Sequence, residues 1–559
     1  MSTRIRLHSW CLLAALAGAL GCNGKVGPMG TDSQTNWLRT CQQDADCSSE
    51  FACVCGVCTS TCSDDTGCST IAGASCIASS DEGAIAQCGG SAAPDQGMCM
   101  PRCEVSGCPD KQMCVAGVCT PSPTPAAHVS VDAHTQYQTL TGFGAAIAYG
   151  QAEITSHPKK AELYKTMFAD LGLDVLRLRM RNGGTEDDDI TTTTSLLAAA
   201  EASLGRMPTV IMTSWSPPAN LKASAATNCS GNPGSCTLAH DGMGGFNYAG
   251  FADYLRKGLD AYAAAGVTPD YIGIQNNPDW LPTSSELGEA CVFLPVEGST
   301  MVTVAGSSVS VSYPGFAEAQ AATVSALDGL AMPPKILAPE TADFSKVGDY
   351  VSVLDASSFD ALAHHLYNVD PENVDLTELN ALGALSADAS KPIFQTEMQS
   401  DGLGTAMLIY YATVVEGAST YLQTTLTSSA TGPATNPDAL VFLSSTDFKL
   451  LDPYYAMQHF ALHTDPGWTR VDVSSSESAL LSSGWISPKG DALTVILVNG
   501  GNTDLDTQLD LGETTNFMHS SVSRTVFGGV ERGADLGSLS ASGVLKVPAR
   551  SIVTVALSN

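Results

Sequence analysis

Five short segments combine polar and aromatic side chains in ways that could do chemistry. They are Arg177-Leu178-Arg179, Ser214-Trp215-Ser216-Pro217-Pro218, Gln275-Asn276-Asn277-Pro278-Asp279-Trp280, His364-His365-Leu366-Tyr367 and Gln395-Thr396-Glu397-Met398-Gln399. Carboxylates are few among them, and amides, arginines and aromatic rings surround those few. Such a mixture suits a neutral, polyhydroxylated ligand: amides and charges bond hydroxyls, and ring faces pack on the apolar faces of a sugar. The chain has no phosphate loop, no dinucleotide fingerprint and no Ser nucleophile elbow, so no cofactor is expected. Asp187-Asp188-Asp189 reads as a solvated acidic loop rather than a calcium site, and no metal is expected either.

To act together, these segments need a scaffold that gathers strand ends. From His128 onward, short β-branched runs alternate with longer helical stretches, the sign of a parallel sheet with crossover helices. Candidate strands are residues 140–146, 175–180, 209–213, 271–275, 335–338, 361–365, 393–396 and 419–423, with a further one near 439–443. Eight or nine suits a barrel, in which chemistry collects at the carboxyl ends of the strands, where the five segments fall. Tyr248, Phe251, Tyr254, Leu255 and Leu259 recur at helical spacing over residues 248–265, a packing helix. The tail from Gly467 to Asn559 alternates strand-like runs (493–498, 544–547, 552–557) with Gly and Asn turns, which reads as an appended antiparallel β-sandwich.

The 559 residues carry 57 acidic and 26 basic side chains, a net charge of −31. That excludes a nucleic-acid binder, which needs clustered cations, and a polybasic membrane patch. Residues 1–22 hold Arg4, Arg6 and an apolar run from Trp10 to Leu20, too short to span a bilayer, and read as a secretory signal. The run ends Ala19-Leu20-Gly21-Cys22, which resembles a bacterial lipobox with Cys22 as the acylated residue; ordinary cleavage leaving a free Cys22 is the other reading. The expected destination is the outer membrane, as a lipoprotein, or the extracellular space, with a lipid anchor as the sole membrane contact and a monomeric chain. Residues 23–40 form a linker. Of 19 cysteines, 14 lie between Cys41 and Cys119, a density that replaces a hydrophobic core with cross-links and suggests seven disulfides of undetermined pairing. Residues 46–58 and 107–119 look like a duplicated module. Cys55 and Cys58 have zinc-ligand spacing, but no His lies between Cys22 and His128, and export favours oxidation. The Pro-rich residues 120–127 form a spacer. Farther on, Cys229 and Cys236 are expected to form a local disulfide, leaving Cys291 single and buried.

Residues 128–559 resemble glycoside hydrolase family 30, retaining glycosidases that include glucuronoxylanases, glucosylceramidases and 1,6-linked glucanases and galactanases. The segments that carry the resemblance run in order: Leu140 to Ala146, Leu176 to Arg179, Ser214 to Lys222, Ile274-Gln275-Asn276, Ile336 to Glu340, His365-Leu366-Tyr367, Thr396-Glu397, Pro453 to Met457, Pro466 to Asp472 and Val547 to Ser551. The resemblance implies a (β/α)8 barrel over residues 140–460 with a side β-sandwich built from residues 128–139 and 461–559. It also implies that a polysaccharide or glycoside is the ligand.

Retaining glycosidases use two carboxyl groups about 5 to 5.5 Å apart, one as nucleophile and one as acid/base. By resemblance Glu397 is the nucleophile, kept ionised by Arg177 and the Tyr367 hydroxyl, and Asn276 holds the sugar hydroxyl beside it. Trp215 and His365 would line the pocket, or, on the plainer reading, belong to the core. The family's Asn-Glu-Pro at the fourth strand is Asn276-Asn277-Pro278 here, so Asn277 stands where the general acid belongs. An amide cannot give and regain a proton at neutral pH, and general acid-base help contributes typically 10²- to 10⁴-fold. Three readings follow. Another carboxylate substitutes, with Asp279 foremost and Glu286, Glu289 or Glu340 behind it; or the barrel binds glycans with little or no turnover; or the substrate assists, or carries a good leaving group. The eighth strand's end, Tyr421 to Thr425, also lacks the Trp common in the family.

Overall fold

The computed structural model describes residues 38, 41–47, 49, 51–71, 73–80, 88, 96–103, 112–115, 118–121, 127–180, 190–229, 233–281, 288–304, 306–429, 438–512, 517–540 and 542–559. The signal segment with Cys22, the acidic run Asp187 to Asp189, and Glu286 lie outside the described residues. The chain divides into two compact units, residues 1–122 and 123–559.

In the first unit, covalent links stand in for a core. Disulfides join Cys41 to Cys53, Cys47 to Cys58, Cys55 to Cys88, Cys62 to Cys76 and Cys68 to Cys99. Cys103 is also disulfide-bonded. Cys55 and Cys58, the pair with zinc-like spacing, thus belong to two different disulfides. Residues Leu38, Val54, Val57, Ile77, Met98 and Met100 make the small apolar cluster between them. The two look-alike segments each hold a hairpin, Ala52–Val54 with Val57–Thr59 and Gln112–Val115 with Val118–Pro121. Cys53 faces Cys58 in one register and Cys114 faces Cys119 in the other.

The second unit is built on a closed barrel of eight parallel strands: β1 (Gly142–Ile147), β2 (Val175–Arg179), β3 (Thr209–Thr213), β4 (Tyr271–Gly273), β5 (Lys335–Thr341), β6 (Ala361–His365), β7 (Ile393–Met398) and β8 (Thr420–Gln423). β8 pairs with β1 to close it. Every residue of β2, β6, β7 and β8 is buried, as expected of strands covered on one face by helices and on the other by the barrel interior. The interior is filled by Val175, Ile211, Leu337, Ala361, Ala363, Phe394 and Leu422. The helix Tyr248–Ala264 buries Phe251, Tyr254, Leu255, Leu259 and Tyr262 against the outside, and Asn247 caps it by accepting the Gly250 N–H at 2.9 Å.

Three sequence expectations change. The run near 439–443 is not a barrel strand; Val441–Leu443 joins Thr427–Ser429 and Phe448–Leu450 in a separate three-stranded sheet. The tail is one continuous nine-stranded sheet rather than two antiparallel layers, and Leu505–Asp510 pairs in parallel with Ala127–Thr139. The reason is the strand that precedes the barrel: it enters between Thr469–Ser475 and Leu505–Asp510 and joins the last two strands in the sheet order to the other six, and the sheet wraps one core containing Val129, Val471, Leu493, Val495, Val553 and Val555. An unexpected hairpin, Gly298–Val304 with Ser307–Tyr313, follows β4. Trp485 of the sheet, fully buried, sets its ring edge-on to Phe143 of β1 at 6.1 Å, and His459 is fixed between Thr525 and Thr554 at 2.9 and 2.8 Å. Burial pushes the His459 imidazole down to about 3, so it packs as a neutral group.

Candidate functional site

Alternation along the strands aims the first side chains. Val175, Ile211 and Tyr271 face the barrel interior, so residues two farther on, Arg177, Thr213 and Gly273, face it too. In β5 and β7 the count of two is broken. Pro339 pairs with Ala363 and Thr341 with His364, which leaves Glu340 as an extra residue with φ 61°. Gln395 pairs with His364 and Glu397 with His365, which leaves Thr396 as the extra residue. Each is a bulge, and each turns a glutamate inward that strict alternation would have sent outward.

Arg177 lies at the centre, wholly buried. Its NH1 donates to Glu397 Oε2 at 2.6 Å and its NH2 to Asn276 Oδ1 at 2.6 Å. Its Nε and NH2 reach Glu340 Oε1 at 3.2 and 3.0 Å. The guanidinium carbon lies 4.5 Å from the centre of the Trp215 ring. The Tyr367 hydroxyl donates to Glu397 Oε1. Burial, with Glu397 beside it, holds the Tyr367 phenol well above its usual range, so the group remains a donor. Glu397 is 6 % exposed and Tyr367 41 %, which places the open side of the cluster at the tyrosine. Arg177 on one oxygen and Tyr367 on the other fix the orientation of this carboxylate.

A second cluster adjoins the first. Asn277, with φ 49°, follows Asn276, and its Oδ1 accepts from His365 Nδ1 at 2.6 Å. His365 Nε2 is buried without a hydrogen-bond partner. Burial, and then the charge on Arg177, hold the His365 pKa well below the ordinary range, so the ring is neutral with its proton on Nδ1. The His365 and Tyr367 rings meet edge-on at 5.9 Å. Behind them His364 turns outward, its Nε2 2.5 Å from Glu416 Oε1.

Arg177, Trp215, Asn276, Tyr367 and Glu397 therefore form one connected network, and Asn277 with His365 forms its neutral flank. Asp279 does not join. Its carboxylate accepts from the backbone N–H groups of Ala342 and Asp343 at 2.7 and 3.1 Å and lies 3.5 Å from Lys346. These bonds tie Asp279 to the loop after β5. Glu289 is likewise engaged elsewhere, with Arg179 NH1 at 2.7 Å and the Tyr149 hydroxyl at 2.9 Å. Glu340 does reach the network, from β5, the strand beside β4. Cys229 and Cys236 are disulfide-bonded, and Cys291 is a buried free thiol. Sequence reasoning missed Thr213, which donates to Glu340 at 3.0 Å, and Gly273; Gln275, within a segment singled out above, donates from its Nε2 to the Trp215 carbonyl at 2.8 Å. A Cβ on Gly273 would lie 1.6 Å from Glu340 Oε2. Its signal was available: a glycine ending a buried strand marks the close approach of another group.

No protein-family model and no curated protein matches the chain. Solved structures do. A glycoside hydrolase family 30 subfamily 8 xylanase from Clostridium acetobutylicum is 20% identical with a TM-score of 0.58, over 77% of this chain and 100% of that one. The catalytic domain of a family 30 xylanase from Talaromyces cellulolyticus is 18% identical with a TM-score of 0.59 over the same shares. A conserved exported protein from Bacteroides fragilis is 16% identical with a TM-score of 0.61, over 77% of this chain and 99% of that one. The fold shared with them, a barrel with an attached sheet, is family 30-like.

Proposed function

We infer that residues 123–559 form a retaining glycosidase-type site acting on β-linked polysaccharides or glycosides, with Glu397 as nucleophile. The observation that carries this is the pair of donors on Glu397, Arg177 on one oxygen and Tyr367 on the other, at the carboxyl ends of barrel strands. In the reaction a Glu397 oxygen bonds to the anomeric carbon, the glycosidic C–O bond breaks, and its electron pair leaves with the aglycone oxygen. Water then cleaves the glycosyl ester and restores the carboxylate. Trp215 and Asn276 present the ring face and amide that bind the sugar. Asn277 supplies no proton, so the aglycone must leave as an anion or be protonated from solvent. Fast glycosylation of Glu397 is therefore expected for leaving groups that need no protonation, followed by slow release because Asn277 cannot take the proton of the attacking water, and slow turnover is expected for ordinary polysaccharide.

A cell-surface glycan-binding role on the same barrel is the second reading, favoured by the Asn277 side chain being bonded to a neutral His365. The N-terminal signal pattern, and the description of a structural neighbour as an exported protein, support export, with Cys22 as the lipid attachment point.

The test is incubation with 2-deoxy-2-fluoro glycosides of xylose, glucose and galactose bearing dinitrophenol. A mass increase on the peptide containing Glu397 is expected; no adduct with any of the three would overturn the nucleophile assignment. Rapid hydrolysis of xylan or a β-1,6-glucan by the native protein would eliminate the binding-only reading.

A further inference from the structure

Glu340 is a second buried carboxylate on the guanidinium that holds Glu397. It is wholly buried, so it does not meet substrate. Four features hold it: the bulge in β5, the two contacts from Arg177, the Thr213 hydroxyl, and the empty space over Gly273 into which its Oε2 fits. The last is specific, since any side chain larger than hydrogen at position 273 would collide with it. A glutamate enclosed in this way costs desolvation energy, and its retention needs a reason beyond filling space.

We propose that Glu340 is a positioning residue that divides the charge of Arg177 between two carboxylates, fixing the guanidinium under Trp215 and setting how readily Glu397 takes up a proton. This rests on the reading of Glu397 as nucleophile. One cation facing two anions stabilises each less than it would stabilise one alone, and the two anions repel each other. Glu397 is thereby kept more basic, and a better nucleophile, than a carboxylate with an undivided arginine. The titratable and charged groups facing this pair are few. They are Arg177 from β2, His365 from the end of β6, neutral through burial, and Tyr367 just after it, a donor at working pH. Thr213, Asn276 and Thr424 are polar neighbours without charge. Burial raises the pKa of Glu340 and Arg177 opposes that rise. On balance its pKa lies above the ordinary carboxylate value, and Arg177 with the Thr213 and Thr396 hydroxyls is what opposes protonation there.

The experiment compares native protein with Glu340→Gln, which keeps the shape and removes the charge, and Thr213→Val, which removes one donor to Glu340 at nearly constant volume. The first readout is the pH dependence of the labelling rate with the fluoro glycoside. The second, independent of turnover, is the pH titration of the Glu397 carboxyl carbon by 13C NMR, assigned with Glu397→Gln. Both midpoints are expected to move to lower pH in Glu340→Gln and, by less, in Thr213→Val. The labelling rate above the midpoint is expected to fall about tenfold in Glu340→Gln as the nucleophile weakens. Unchanged midpoints in both variants would overturn the proposal, because a glutamate that only fills space would leave them where they are. A native protein that takes no label but shows the shifted carboxyl titration would overturn the nucleophile reading and leave the charge sharing intact.

Discussion

The β7 and β4 ends of the barrel lie in one network yet are built on opposite electrostatic plans. At β7 a carboxylate is held by a cation and a phenol, with a second carboxylate behind the cation. At β4 an amide faces a neutral imidazole, and no described carboxylate bonds to either. The first arrangement fixes a carboxylate between two donors. The second can orient a hydroxyl or an oxygen through hydrogen bonds but has no proton to exchange near neutral pH. The difference teaches that a carboxylate between two donors and an amide on a neutral ring can stand side by side in one network; on the function proposed above, reactivity should depend on what leaves more than on what attacks.

The comparison breaks if the β7 end is dispensable. Glu397→Gln should lower the rate on a dinitrophenyl glycoside by on the order of 10⁴-fold or more, measured by dinitrophenolate release; a drop below tenfold would show that the attacking group is elsewhere. Placing a carboxyl group at the β4 end should sharpen it. Asn277→Glu is expected to raise kcat/KM on polysaccharide by about 10²- to 10⁴-fold while changing the dinitrophenyl glycoside little, because that leaving group needs no proton. Equal gains on both substrates would mean that position 277 acts through binding instead. Tyr367→Phe removes one donor from a charged acceptor and should cost about 10- to 100-fold in labelling of Glu397, with the fold unchanged by circular dichroism. The smallest effect is on stability. His365 stays neutral in the fold but takes a proton near 6.5 when unfolded, so it contributes stability above that pH which is lost as pH falls below it. At pH 5.5 that loss is about 1 kcal/mol. His365→Asn should therefore show a smaller fall in Tm between pH 7.5 and 5.5 than the native protein, by thermal unfolding; an identical fall would mean that the imidazole is charged in the fold.

Much of the second unit was legible from residue types. All eight barrel strands were placed within three residues at either end, because buried parallel strands read as continuous β-branched runs. β4 was read to Gln275 but ends at Gly273, where the chain turns so that Asn277 takes a left-handed conformation. The hairpin at residues 298–313 was missed although its Thr, Val and Ser alternate with a period of two around a Gly turn. For Asp279, read as a possible substitute acid, sequence shows which groups are near in the chain, not that the backbone N–H groups of Ala342 and Asp343 bond to it.

By itself the sequence determined the alternation of strands and helices, the crowding of cysteines, the polar strand ends and the loss of the β4 acid, since composition and spacing carry each of these. In the structure Arg177 faces inward because a two-residue period from Val175 is intact. Only the tertiary structure decided that Glu340 and Glu397 share that arginine. The pairing of β5 with β6 and of β6 with β7 each slips by one residue, and a slip of one reverses the face on which every later side chain lies. Such a slip is set by how neighbouring strands hydrogen-bond around a closed barrel, which no local pattern in a single strand can specify.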